Sequence, residues 1–208
     1  MKLRDLEIAL EAIERRSERK VRLEDYPTPA TIAAAIIYAA QMEHGDIVDK
    51  VVCDLGCGDG VFALGAALMG ARRVIGVDIQ SKALKVCQRN SKLLGTDGTT
   101  DWVLGEVSSL EFRETIDTVV SNPPFGVKKR GADLVFLRKA LSIARVTYSI
   151  HLAGEKNRQF LTRNIEKLGG IVTQVETFEF PIRRLFEFHR KERHMTRVDL
   201  YRIEMKER

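Results

Sequence analysis

Val51-Val52-Cys53-Asp54-Leu55-Gly56-Cys57-Gly58-Asp59-Gly60 is the stretch that decides the fold. Its first five residues form a short apolar run, as a strand buried on both faces does. The glycines behind it let the chain turn sharply and let a ligand approach the backbone. A helix follows to about Met69. Arg73 to Asp78 is a second strand, and Ser81 is the expected cap of a helix running to about Leu94. Trp102–Leu104 and Ile116–Val120 are the third and fourth strands, and the fourth ends at Ser121-Asn122-Pro123-Pro124-Phe125. Residues 132–145 are helical, with Leu134, Leu137, Leu141 and Ala144 on one face. Val146–His151 is a fifth strand, 155–168 a helix, and Ile171–Phe180 and Val198–Glu204 the last two strands. Strands alternating with helices predict an α/β fold with a doubly wound, mostly parallel sheet of seven strands. The last two strands have no helix between them, which predicts one antiparallel edge strand.

Upstream of the glycine stretch, Ala30 to Met42 reads as a helix that Gly45 ends. Tyr26-Pro27-Thr28-Pro29 is irregular, because each proline disfavours helix in the residue before it. Residues 1–20 read as an amphipathic helix, with Leu3, Leu6, Leu10 and Ile13 at helical spacing. Residues 1–30 are expected to form an N-terminal helical extension over the sheet's carboxyl edge. The whole of 1–208 fits a single domain, with 181–196 as a basic insertion between the last two strands.

A 44% hydrophobic and 30% charged composition suits a globular chain with a sizeable core. No apolar run approaches the roughly 18 residues that span a bilayer, and Met1-Lys2-Leu3-Arg4-Asp5 does not begin a signal peptide. Three cysteines without Cys-x-x-Cys spacing argue against a disulfide framework or a zinc site and suit a reducing cytoplasm. The net charge of +5 permits a polyanionic partner.

Asp78 lies 24 residues after Asp54, at the end of the next strand, where a carboxylate can accept hydrogen bonds from both hydroxyls of a ribose. The spacing is Gly-x-Gly-x-Gly after an acid, Asp54. A dinucleotide site has Gly-x-Gly-x-x-Gly and a diphosphate on the helix N-terminus. An acid there repels diphosphate and suits a ligand with a positive end, and S-adenosylmethionine has one. The plainer alternative is a tight turn with Asp54 as a helix cap.

Asn122-Pro123-Pro124-Phe125 ends the fourth strand and should face the same crevice as Gly56 and Asp78. Consecutive prolines stiffen the backbone and remove two donors. The Asn122 side-chain oxygen and the Pro123 carbonyl remain as convergent acceptors, suited to a planar amino group. Phe125 is placed to stack on a base, a contact worth about 1–3 kcal/mol. The plainer alternative is a rigid loop with a buried aromatic.

Together DLGCGDG, Asp78 and NPPF resemble the Rossmann-like class I S-adenosylmethionine-dependent methyltransferases that modify amino nitrogens. Leu23-Glu24-Asp25-Tyr26-Pro27-Thr28 and Phe188-His189-Arg190-Lys191 are similar to one subfamily. It is the archaeal and eukaryotic methyltransferase-like family that makes N6-methyladenosine in small-subunit ribosomal RNA. The resemblance implies that Gly56, Asp59 and Val61 line the methionine part of the cofactor, and Asp54 and Gly58 are read as cofactor-binding with them. It implies that Asp78 holds the ribose, that Glu106 and Val107 meet its adenine, and that Asp25 and Thr28 close over it. Glu106 stands where the family often has Asp, and Asp25 where the human-type pattern has Gln. Asn122, Pro123, Pro124 and Phe125 would hold the target adenine. A further implied partner is a small zinc-containing activator protein, bound through strand addition and an apolar patch.

Two basic clusters remain. Lys128, Lys129 and Arg130 follow the Asn-Pro-Pro-Phe loop. Arg183, Arg184, Arg190, Lys191 and Arg193 are interleaved with Phe186, Phe188, His189 and His194. Such side chains neutralise phosphates and stack on splayed bases of RNA. A solvated charged surface is the plainer alternative. Rival functions are guanine-N2 or protein-glutamine methylation, a non-catalytic RNA-binding module, and a nicotinamide-dependent oxidoreductase. His44 and His151 are expected to be structural, and aromatics on helix faces to be core.

Overall fold

The computed structural model describes residues 1–16, 27–126, 131–183 and 193–206, with backbone alone at 181–183, 193 and 194. Seven strands form one sheet: β1 (Val51–Leu55), β2 (Arg73–Asp78), β3 (Thr100–Leu104), β4 (Ile116–Ser121), β5 (Ala144–Leu152), β6 (Gly170–Arg183) and β7 (Arg193–Met205). Their spatial order is β3-β2-β1-β4-β5-β7-β6. The first five are parallel, and β7 runs antiparallel to both β5 and β6. The antiparallel strand is therefore not at the edge, as expected from sequence, but one place inside it. The return strand gains two hydrogen-bonded neighbours there and buries Val198, Leu200, Tyr201 and Ile203, while Ile171 and Val175 of β6 stay exposed.

Strand order reverses between β1 and β4, which opens a crevice at their carboxyl ends. Every residue of β1 is buried, as its apolar run requires. Helices α2 (Ala30–His44), α3 (Val61–Leu68), α4 (Ser81–Leu93), α5 (Ala132–Ile143) and α6 (Glu155–Lys167) cover the sheet. No described helix is long and apolar enough to cross a membrane.

Helix α1 (Leu3–Glu11) stops well short of the expected 1–20, and 17–20 lie outside the described residues. Leu6 and Leu10 are fully buried. Gly65 of α3 makes the approach of α1 possible: a Cβ there would lie 3.3 Å from Leu10 and 3.5 Å from Ile37. α1 thus packs on α2 and α3, not over the sheet's carboxyl edge. The residues just after it, Glu14 to Arg16, do reach that edge, through Asn90 and Asp59.

Two local expectations are corrected. Ser81 is the first residue of α4 and makes no capping bond; the cap position is Gln80, whose N–H donates to Asp78 Oδ1 at 2.8 Å. The last two strands extend into the segment expected to be an insertion, pairing Phe180 with Thr196 and continuing to Arg183 with Arg193. Backbone pairing carries the strands through charged residues that show no apolar alternation.

Candidate active site

The loop after β1 is tied to the end of β2. The N–H groups of Gly56 and Cys57 both donate to the Val77 carbonyl at 2.9 Å. Gly56 (φ +74°) and Gly60 (φ +85°) are left-handed, which only glycine adopts freely. A Cβ at Gly56 would come within 2.8 Å of the Phe136 ring, so this backbone also needs a bare Cα for space. Above the loop lies a cleft of about 360 Å³. Four carboxylates line it, those of Asp54, Asp59, Asp78 and Glu106, together with Thr28, Gly56, Gly58, Val61, Val107, Asn122 and Pro124.

Asp54 is 1% exposed, and its Oδ2 accepts the Ala63 N–H at 3.1 Å. It therefore caps the first turn of α3 and also lines the cleft. Burial pushes its pKa up to about 7; the Ala63 hydrogen bond opposes this, and the neighbouring Asp78 charge adds to it. Asp78 accepts the Gly58 N–H at 3.0 Å and the Gln80 N–H at 2.8 Å. Each carboxylate oxygen can accept more than one hydrogen bond, so capacity for hydroxyl donors remains. Asp59 forms a buried ion pair with Arg16 at 2.6 Å. Val107 is buried in the 3-10 turn, Val107–Ser109, that follows Glu106.

At the end of β4, Ser121 Oγ donates to the Leu55 carbonyl at 2.9 Å, which binds the tips of β4 and β1 together. Asn122 Nδ2 donates to Thr28 Oγ1 at 3.1 Å, which joins the Asn-Pro-Pro-Phe loop to the segment before α2. Pro124 faces the cleft. Pro123 and Phe125 are buried, and Phe125 packs in the core cluster that includes α2 and α3. The aromatics that line the cleft are Phe62 of α3 and Phe136 of α5.

The structure brings Thr28, Asp54, Gly56, Gly58, Asp59, Val61, Asp78, Glu106, Val107, Asn122 and Pro124 to one cleft. Asp25, Lys128, Lys129, Arg130, Arg184, His189, Arg190 and Lys191 lie outside the described residues, and Arg183 is described by backbone alone. Sequence reasoning missed Arg15, which lines the cleft, Arg16, and Phe136. Phe136 corrects the expectation that helix-face aromatics are core, since it touches core and cleft alike. Its place on the first turns of α5, just after the Asn-Pro-Pro-Phe loop, was the available signal. No local signal marks Arg16, which meets Asp59 across 43 residues.

Comparison with known proteins gives a consistent result. Residues 19–135 match the family described as UPF0020, RMKL-like, methyltransferase domain. The rRNA N(6)-adenosine-methyltransferase Mettl5 of Drosophila melanogaster is 33% identical over 99% of this chain and 97% of its own. The rRNA N(6)-adenosine-methyltransferase METTL5 of Danio rerio is 34% identical over 98% of this chain and 99% of its own. The crystal structure of an archaeal protein from Pyrococcus horikoshii superimposes with a TM-score of 0.90 at 38% identity, covering 99% of this chain and 98% of that one. With the strand order, the glycine loop and the acid at the end of β2, these matches fix the family: the chain belongs to the class I S-adenosylmethionine-dependent methyltransferases, in the RMKL-like methyltransferase-domain family.

Proposed function

We propose that this protein methylates adenine N6 in RNA, with small-subunit ribosomal RNA as substrate, and that residues 1–208 act as one methyltransferase domain. The single observation that carries the reading is the cleft itself. Asn122 stands on the tip of β4 beside Asp54, Asp78 and the left-handed glycine loop. The full-length similarity to rRNA adenosine methyltransferases supports the substrate class.

The residues fit S-adenosylmethionine. Asp54 and the loop 56–60 suit a cationic amino acid end, Asp78 suits a ribose, and Glu106 with Val107 suits the adenine. Carboxylates at the loop disfavour the diphosphate of a nicotinamide cofactor. When bound, S-adenosylmethionine supplies an electrophilic methyl group. The protein's own task is to make an amine nucleophilic. An exocyclic amine is weakly nucleophilic because its lone pair is delocalised into the ring. The bond from Asn122 Nδ2 to Thr28 Oγ1 fixes the amide and leaves its buried Oδ1 as the acceptor on the other side. Oδ1 and the Pro123 carbonyl then accept the two N–H donors and favour a tetrahedral nitrogen. Positioning and electrostatics do this work without a strong base. Pro124 and Phe136 supply the apolar wall, and Phe125 supports the loop from the core.

Two partners belong to the same reading. Lys128, Lys129, Arg130, Arg183, Arg184, His189, Arg190 and Lys191 serve RNA phosphates and bases. Strand β3 is an edge of the sheet, with Val103 and Leu104 exposed, and the exposed Ile79 follows Asp78, the residue paired with Leu104. That edge suits strand addition by a small zinc-containing activator protein. A reducing cytoplasm suits the three buried thiols Cys53, Cys57 and Cys87. The test is nucleoside mass spectrometry of small-subunit RNA incubated with S-adenosylmethionine and enzyme. Wild type should generate N6-methyladenosine and Asn122→Ala should not. Methyl appearing on guanine, or unchanged product from Asn122→Ala, overturns the reading.

A further inference from the structure

The methionine end of S-adenosylmethionine is a zwitterion, so a site for it needs opposite charges close together. The cleft supplies acids in excess, and among the described residues lining it Arg15 is the one basic side chain. Arg15 does not come from the sheet or its crossover helices. It sits on the short segment after α1, and that segment is strongly anchored. Glu14 N–H donates to Asn90 Oδ1 at 2.8 Å, and Asn90 Nδ2 returns a bond to the Glu14 carbonyl at 3.0 Å. The Glu14 carboxylate takes both arms of the Arg89 guanidinium at 2.7 Å. Arg16 pairs with Asp59 at 2.6 Å, with both side chains buried. Asn90 Nδ2 also reaches the Asp59 carbonyl at 3.2 Å, so α4, the glycine loop and this strap form one network. The anchoring fixes the backbone that carries Arg15: its neighbour Arg16 pairs with Asp59 and brings Nη2 to 3.4 Å from where a Gly58 Cβ would be, and Arg15 lines the same cleft as Asp59 and Gly58.

We propose that Arg15 is a specificity-determining residue that holds the α-carboxylate of the cofactor's methionine moiety, delivered by the Glu14–Arg16 strap. The proposal rests on the cleft being the S-adenosylmethionine site. Arg15 then answers the carboxylate as Asp54 answers the ammonium. A guanidinium–carboxylate pair in a partly enclosed cleft is a strong charge-assisted contact, and its loss should be read on ligands that carry the carboxylate.

The test is calorimetric binding to the full chain with three ligands: S-adenosylmethionine, its decarboxylated form, which keeps the sulfonium and the ammonium, and 5′-methylthioadenosine. Arg15→Gln should weaken S-adenosylmethionine about tenfold or more while leaving the other two within about twofold. Arg15→Lys should recover part of the loss. Retained methylthioadenosine binding shows that the variant is folded. Equal weakening of all three ligands, or none, overturns the clamp while leaving the cofactor assignment intact. An effect on RNA affinity alone would do the same and would assign Arg15 to phosphate. Failure of the wild-type chain to bind any of the three would overturn both.

Discussion

Asp54 illustrates how one side chain meets two requirements. Its carboxyl caps α3 through the Ala63 N–H and is held out of water, which lifts its pKa to about 7. A group raised in the folded state binds its proton more tightly there than in the unfolded chain. The stability it contributes is present below the ordinary carboxylate range and is lost as pH rises through about 7. Asp54→Asn removes that dependence. In ligand-free protein, the stability of wild type relative to Asp54→Asn should fall between pH 5 and pH 7, with a limiting slope of about 1.4 kcal/mol per pH unit. Urea denaturation of both proteins across that range measures it, and a flat difference would mean that Asp54 is already ionised. Sequence spacing alone placed this acid beside Gly56 and Asp78, because all three sit at strand tips. It could not show that Phe125 turns into the core while Phe136 faces the cleft. That choice is made by side-chain packing between α5 and the sheet, which leaves no mark on local pattern.

At the scale of elements, β2 and β3 show why a glycine stands inside a buried strand. A Cβ on Gly76 would run into the indole of Trp102, which spans from β3 towards Cys57 and Cys87. Gly76→Ala should therefore cost about 1–3 kcal/mol through overpacking. It should lower the midpoint of chemical denaturation, and a variant as stable as wild type would show that the indole repacks freely. The boundaries of β1 and β2 were readable because each is a closed apolar run between turn residues. Those of β6 and β7 were not. Their outer halves carry Arg, Glu and His, and only pairing with each other keeps them extended. For the same reason the sequence favoured an antiparallel edge and missed that β7 slips inside β6.

Across the whole molecule, the acidic cleft and the net charge of +5 are opposed: the site is negative while the chain is positive. Under the proposed function, the acidic cleft takes the cofactor and the basic clusters take the RNA. RNA binding should weaken steeply with salt, in proportion to the phosphates neutralised. Arg190→Ala with Lys191→Ala should flatten the plot of log affinity against log salt, while S-adenosylmethionine binding stays unchanged. An unaltered slope would remove that pair from the RNA surface.

The β6–β7 hairpin has one further consequence. It continues five residue pairs beyond the last β5–β7 pair, Leu152 with Val198, and ends at Arg183 with Arg193 on the carboxyl side of the sheet. At about 3.3 Å per residue this is an arm of roughly 16 Å whose bearing is inherited from strand twist. Such an arm works as a graduated ruler. Lengthening both strands by one residue advances its tip a single notch and turns its faces over, whereas two residues restore the faces about 7 Å farther out.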